Sequence, residues 1–80
     1  MATPPEFWLG DQRRLKRLSA KERKVFLLVV EGRTSKEIAA RVNLSPKSVE
    51  TYRSRIMAKL EVKSLAALVK LAIRNGITTS

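Results

Sequence analysis

Between Ser45 and Leu60 the chain reads SPKSVETYRSRIMAKL, a run that interleaves cationic and hydrogen-bonding side chains with apolar ones. Lys47, Arg53, Arg55 and Lys59 carry positive charge, Ser48, Thr51, Tyr52 and Ser54 carry hydroxyls, and Glu50 is the single anion. None is a nucleophile with a base beside it. The whole chain lacks histidine and cysteine, and its one aspartate is Asp11. Disulfides and thiolate or imidazole metal sites are therefore excluded, no metal or cofactor is expected, and enzyme chemistry has no acid–base pair to run on. What the run can do is meet a polyanion. Cations neutralise phosphates, and small polar groups reach base edges.

At ~100° per residue, Ile56 and Leu60 fall within ~20° of Val49 on a helix. Tyr52 and Arg53 flank this stripe, which is expected to be buried. Lys47, Thr51, Ser54 and Ala58 gather on the opposite side, with Glu50 and Arg55 at its edges. A small polar centre with cationic margins suits a helix lying in the major groove of a duplex. Glu50 has two readings. Its carboxylate accepts from the exocyclic amine of cytosine or orients a neighbouring arginine, or it is a good helix former on a wet surface. Tyr52 can bury its ring and send its hydroxyl to a phosphate.

Capping signals place this stretch among other elements. Ser45 followed by Pro46 is an N-cap with proline in the first turn, starting a helix that runs to about Leu60. Upstream, Ser19 with Glu22 and Thr34 with Glu37 form two capping boxes, in which hydroxyl and carboxylate each bond a backbone N–H of the other. The first opens a helix from about 20 to 31, with Val25, Phe26, Leu28 and Val29 on one face and Gly32 as its left-handed cap. The second opens a short helix through Ile38, Ala39 and Val42, with Asn43 taking the left-handed turn. Ser64 caps a helix from about 65 to 75, closed by Gly76. No segment alternates with period two. The expected fold class is all-α, a four-helix bundle whose short helix, tight turn and longer helix make a helix-turn-helix. Ala39 allows the two helices to approach, and Leu44 and Val49 fill the angle between them.

Residues 1–18 read as an N-terminal arm or linker, 19–77 as the domain and 78–80 as a flexible tail. In the arm, Pro4 and Pro5 resist helix, and DQRRLKRL either forms a short helix or stays loose. Phe7, Trp8 and Leu9 either cover part of the core or dock a second domain.

Lysine and arginine total 17 against 7 acidic residues, a formal charge of +10 on 80 residues. That balance favours a polyanionic partner. No apolar run approaches the ~20 residues of a membrane span, so no membrane partner is expected. The N-terminus does not read as a secretory signal, and the location expected is cytoplasmic.

Residues 18–77, LSAKERKVFLLVVEGRTSKEIAARVNLSPKSVETYRSRIMAKLEVKSLAALVKLAIRNGI, resemble the LuxR-type helix-turn-helix domain. This is the DNA-binding end of LuxR-, FixJ- and NarL-like transcription regulators. The likeness rests on Glu22 and Arg23, Gly32, Lys36 to Ala39, Leu44 and Ser45, Ser48 to Glu50, Ile56 and Met57, Lys59 and Leu60, Val62, Ser64 and Gly76. It implies a third helix in the major groove, with Glu50, Thr51 and Ser54 at base-reading positions. It also implies that Lys36, Lys47, Ser48, Arg55 and Lys59 meet the DNA backbone. Tyr52, taken here as a backbone contact too, stands where the family often has histidine, and Lys24 where it often has glutamate.

The helix after Ser64 carries more apolar surface than one packing partner can cover, with Leu65, Leu68, Val69, Leu71, Ala72 and Ile73 spread over more than half its girth. Either the arm, through Phe7 and Trp8, covers the surplus, or a second copy does. The family pairs protomers through this helix, which implies a dimer interface at Leu65, Val69 and Ile73 and two reading helices on half-sites about one DNA turn apart. The partners expected are double-stranded DNA, a second copy of the chain on it, and RNA polymerase. Control would reside in a receiver or ligand-binding domain N-terminal to this chain or in a partner, or not exist, and the chain is either a fragment or a naturally short regulator. A promoter-binding module like region 4 of a sigma factor, or a non-specific basic module for nucleic acid or membrane surfaces, is the alternative.

Overall fold

A computed structural model of the chain describes residues 6–77, with side chains from residue 9 onward. Five helices follow one another: α1 (Glu6–Leu15), α2 (Ala20–Val30), α3 (Ser35–Val42), α4 (Pro46–Lys59) and α5 (Leu65–Arg74). The tail expected at 78–80 lies outside the described residues. No helix among the described residues is long and apolar enough to cross a membrane.

The expected caps start α2 to α5. Ser19 Oγ accepts from the Glu22 N–H at 3.1 Å, and the Glu22 carboxylate accepts from the Ser19 N–H at 2.8 Å. Thr34 and Glu37 repeat this exchange at 3.2 and 2.9 Å. Ser45 and Ser64 each accept one such bond, from Ser48 and Ala67. These bonds satisfy N–H groups that a helix's first turn leaves open.

Three helices end alike. After α2, α4 and α5, the residue past the cap takes positive φ, and the next N–H reaches back to the carbonyl five residues earlier. The bonds are Arg33 to Leu28 at 3.2 Å, Val62 to Met57 at 3.0 Å and Ile77 to Ala72 at 2.9 Å. Gly32 and Gly76 hold the left-handed position after α2 and α5, with φ of 87° and 67°. After α4 that position is Glu61, with φ of 57°. A side chain is disfavoured there, and glycine is the usual occupant.

The core is built from Val25, Phe26 and Val29 of α2, Ile38, Ala39 and Val42 of α3, Val49 and Ile56 of α4, Leu60 after it, and Leu68, Leu71 and Ala72 of α5. Burying each large side chain stabilises the fold by about 1.5–3 kcal/mol. That burial is what holds a chain of this size that has no cysteine to cross-link.

The first helix comes in addition to the four expected and takes the helical of the two readings left open for the arm; its later side chains pack on the rest. Leu15 and Leu18 join the core, and Asp11 is completely buried. Its carboxylate accepts two bonds from Arg74, at 2.6 and 2.7 Å, and one from Asn75 at 2.8 Å. Gln12 adds a bond to the Asn75 side chain at 3.1 Å. Arg14 and Arg17 converge on Glu61, each at 3.0 Å. So α1 is tied both to the end of α5 and to the turn after α4. Whether Phe7 and Trp8 cover the surplus on α5 falls on side chains outside the described residues.

Two buried carboxylates make this packing sensitive to acid. The Arg74 hydrogen bonds hold the Asp11 carboxyl below its ordinary 3.8, with help from Asn75 and against the effect of burial. Lys59, then the Ser19 N–H, hold Glu22 below its ordinary 4.5. In both cases the unfolded chain takes up protons at higher pH than the folded one. Their stabilisation is therefore complete above the ordinary values, falls as pH drops through them, and is gone below the folded-state values. Melting temperature is expected to stay level down to about pH 5 and then to fall steeply. Asp11→Asn should remove part of that slope; a wild-type slope retained in full would show that Asp11 does not contribute to it.

Candidate nucleic-acid interface

The caps and the turn at Asn43, whose φ of 58° is left-handed, set α3 across α4. Val49 and Ile56, inside the core with Leu60, fix the rotation of α4 about its axis. That rotation leaves Lys47, Glu50, Thr51, Ser54, Arg55 and Ala58 exposed. Tyr52 and Arg53 are half-buried at the margin.

The exposed face has internal order. Thr51 donates to the Lys47 carbonyl at 3.3 Å, a bond within α4 that its hydroxyl can exchange for an outside partner. Arg55 places its guanidinium 5.4 Å from the centre of the Tyr52 ring, which stacks it along the helix margin. The Ser45 hydroxyl donates to Ser48 Oγ at 3.0 Å, so Ser48 is half-buried in the capping turn. Lys36 is exposed in the first turn of α3, and Lys47 in the first turn of α4. Both lie where helix dipoles already favour an anion.

Glu50 is tied down from two sides. Ser35 donates a short hydrogen bond to its carboxylate, and Arg53 pairs with it at 3.7 Å. The first contact pins α4 to the start of α3. The second matches the reading in which Glu50 orients an arginine. Its carboxylate remains about half exposed.

Lys59 is placed otherwise than the sequence suggested. Its ammonium lies 2.7 Å from the Glu22 carboxylate, which is almost wholly buried, and 3.4 Å from the Arg17 carbonyl. This side chain joins the end of α4 to the start of α2 and to the turn after α1. A phosphate would have to compete with a buried carboxylate for it, although about a third of the lysine side chain stays exposed. Its spacing matched the other cations; its partner, 37 residues away, left no local signal.

On α5, Leu68, Leu71 and Ala72 face the core. Leu65 and Ile73 are 49% and 56% exposed, and Val69 between them is half-buried. These three, four residues apart, make one apolar stripe on the outer side. Sequence reasoning missed Asp11, Arg74 and Asn75, and the pairing of Arg14 and Arg17 with Glu61. The one hint was a lone aspartate in a basic arm. Among the described residues, no three acidic side chains converge as a metal site requires.

Residues 16–72 match the family described as "Bacterial regulatory proteins, luxR family". The chain is 43% identical over 67 residues to the transcriptional regulatory protein FixJ of Rhizobium meliloti, covering 84% of this chain and 33% of FixJ. It is 43% identical over 68 residues to the DNA-binding transcriptional activator EvgA of Escherichia coli K12, covering 85% of this chain and 33% of EvgA. In three dimensions it matches the crystal structure of full-length FixJ from B. japonicum with a TM-score of 0.82 and 35% identity, over 90% of this chain and 36% of that one. The chain thus spans about a third of the length of these relatives.

Proposed function

This chain belongs to the luxR family of bacterial regulatory proteins, and we propose that α4 is the element through which its helix-turn-helix DNA-binding domain reads the major groove. The observation that carries the reading is the rotation of α4. Val49 and Ile56 are buried while Thr51 and Ser54 are exposed, with Lys47 on the same face and Arg55 and Glu50 at its edges. Thr51, Ser54 and, more weakly, Glu50 face base edges. Lys36, Lys47, Ser48, Tyr52 and Arg55 meet the sugar–phosphate backbone. Two copies pair through Leu65, Val69 and Ile73 when bound to adjacent half-sites. The names of the relatives support transcription regulation; to this we add, as part of the proposal, the cytoplasm as its place, RNA polymerase as a further partner and control by a domain outside this chain.

One binding series tests the assignment. Selection from a random duplex pool supplies the site. Thr51→Ala and Ser54→Ala are then expected to relax preference at particular base pairs, by about 1–3 kcal/mol for a good contact. Should both variants discriminate as the parent does, the reading face lies elsewhere. In the same series, Lys36→Ala is expected to weaken binding to every duplex alike and to lower the salt slope by about one unit. A changed sequence preference instead would move Lys36 to the base-reading set.

A further inference from the structure

The outer side of α2 carries a second cationic surface that the reading helix does not use. Lys21, Arg23 and Lys24 of α2 and Arg41 of α3 rim a shallow depression of about 630 Å³ whose floor is Ala20, Leu27 and Val42. Leu27 is 37% exposed, whereas Val25, Phe26, Leu28 and Val29 of the same helix are buried. Leu27 also lines two neighbouring hollows, one with Leu28 and Glu31 and one with Gln12 and Ile77. Glu31, the one anion near it, is paired with Arg33 at 3.7 Å. Lys21, Lys24 and Arg41 form no ion pair among the described residues, as is true of most of the chain's 17 cations, so their charge is open to an outside partner.

We propose that this depression is a docking site for an acidic amphipathic protein helix, which would set one apolar side chain against Leu27 and carboxylates against Lys21, Lys24 and Arg41. Charge complementarity selects the occupant. Cations alone would suit phosphates, but a concave apolar floor gives a phosphate backbone nothing to bind. A helix with an apolar stripe between acidic flanks fills both requirements. Position separates the depression from the reading face. Ser35, at the start of α3, touches Glu50 of α4, whereas Arg41 lies about 9 Å further along the α3 axis. A partner here would leave Thr51 and Ser54 free, so the domain could hold a duplex and an acidic protein together.

The test uses the 80-residue chain and a stapled helical peptide with a leucine stripe flanked by glutamates, followed by fluorescence anisotropy with and without bound duplex. The peptide is expected to bind free and duplex-bound protein alike. Lys24→Glu combined with Arg41→Glu should weaken peptide binding by about tenfold or more, and Leu27→Gln should weaken it at unchanged net charge. Lys16→Glu with Lys63→Glu makes the same change in net charge elsewhere on the surface, and is expected to alter peptide binding by less than about twofold. Circular dichroism melts confirm that each variant folds, and Leu27→Gln carries the test alone if the charge pair does not. Equal losses from the two charge pairs would reduce the effect to the overall field of a +10 chain and overturn the proposal. So would a peptide that fails to bind. A duplex affinity that falls further with Lys24→Glu and Arg41→Glu than with the control pair would assign the surface to DNA.

Discussion

Replacing Arg74 with alanine is expected to lower the free energy of unfolding by about 3 kcal/mol, near the low end of the range for breaking a buried ion pair. The cause is what remains. Asp11 is wholly enclosed, and two of its three strongest hydrogen bonds come from Arg74. Without them the carboxylate keeps Asn75 at 2.8 Å and the more distant Arg14 at 3.7 Å. The arginine is 43% exposed, so water reaches the gap and moderates the loss. Asp11→Asn is expected to cost less, because the guanidinium it frees can turn to solvent. A domain of this size has roughly 4–12 kcal/mol in total, so the first variant should shift a urea midpoint visibly. Amide exchange should rise first in α1. Equal, small losses in both variants would mean that α1 is held by Leu15 and Leu18 and not by charge.

The second large effect concerns assembly. Ile73→Glu is expected to leave the monomer folded, since more than half of that side chain is in water. Affinity for a duplex with one half-site should stay unchanged. Affinity for two half-sites in the right spacing should drop by about 10²–10⁴, the usual gain from linking two binding events. Gel shifts on one- and two-site duplexes read this directly, and a two-site complex that forms as before would remove α5 from the interface. Val69→Glu is the less clean variant, because Val69 is half-buried and its loss mixes folding with pairing.

Local rules accounted for most of the backbone. Ser19, Thr34, Ser45 and Ser64 start helices where their types and spacing said they would, and Gly32, Asn43 and Gly76 turn the chain with positive φ. The rotation of α4 was equally legible, because Val49, Ile56 and Leu60 recur at one angular position. What escaped were contacts between residues far apart in sequence. Nothing near Asp11 announces Arg74, and nothing near Lys59 announces Glu22, so neither pair could be read from local spacing. Glu61 escaped for a different reason. Its place after α4 is one that glycine fills after α2 and α5, and a glutamate there is held by Arg14 of α1 and Arg17 of the turn after it, a segment that the local pattern did not settle.

That glutamate sits at the corner between the helix proposed to read DNA and the helix proposed to pair with a second copy. The corner has one backbone shape, left-handed at a single residue and braced from outside by two arginines. In the proposed paired complex it would work as a ruler, converting the geometry of one bend into the distance between two binding steps along the duplex. Substitutions at this corner should then be felt as a change in which separations are tolerated, while the grip of each copy on its own step stays as it was.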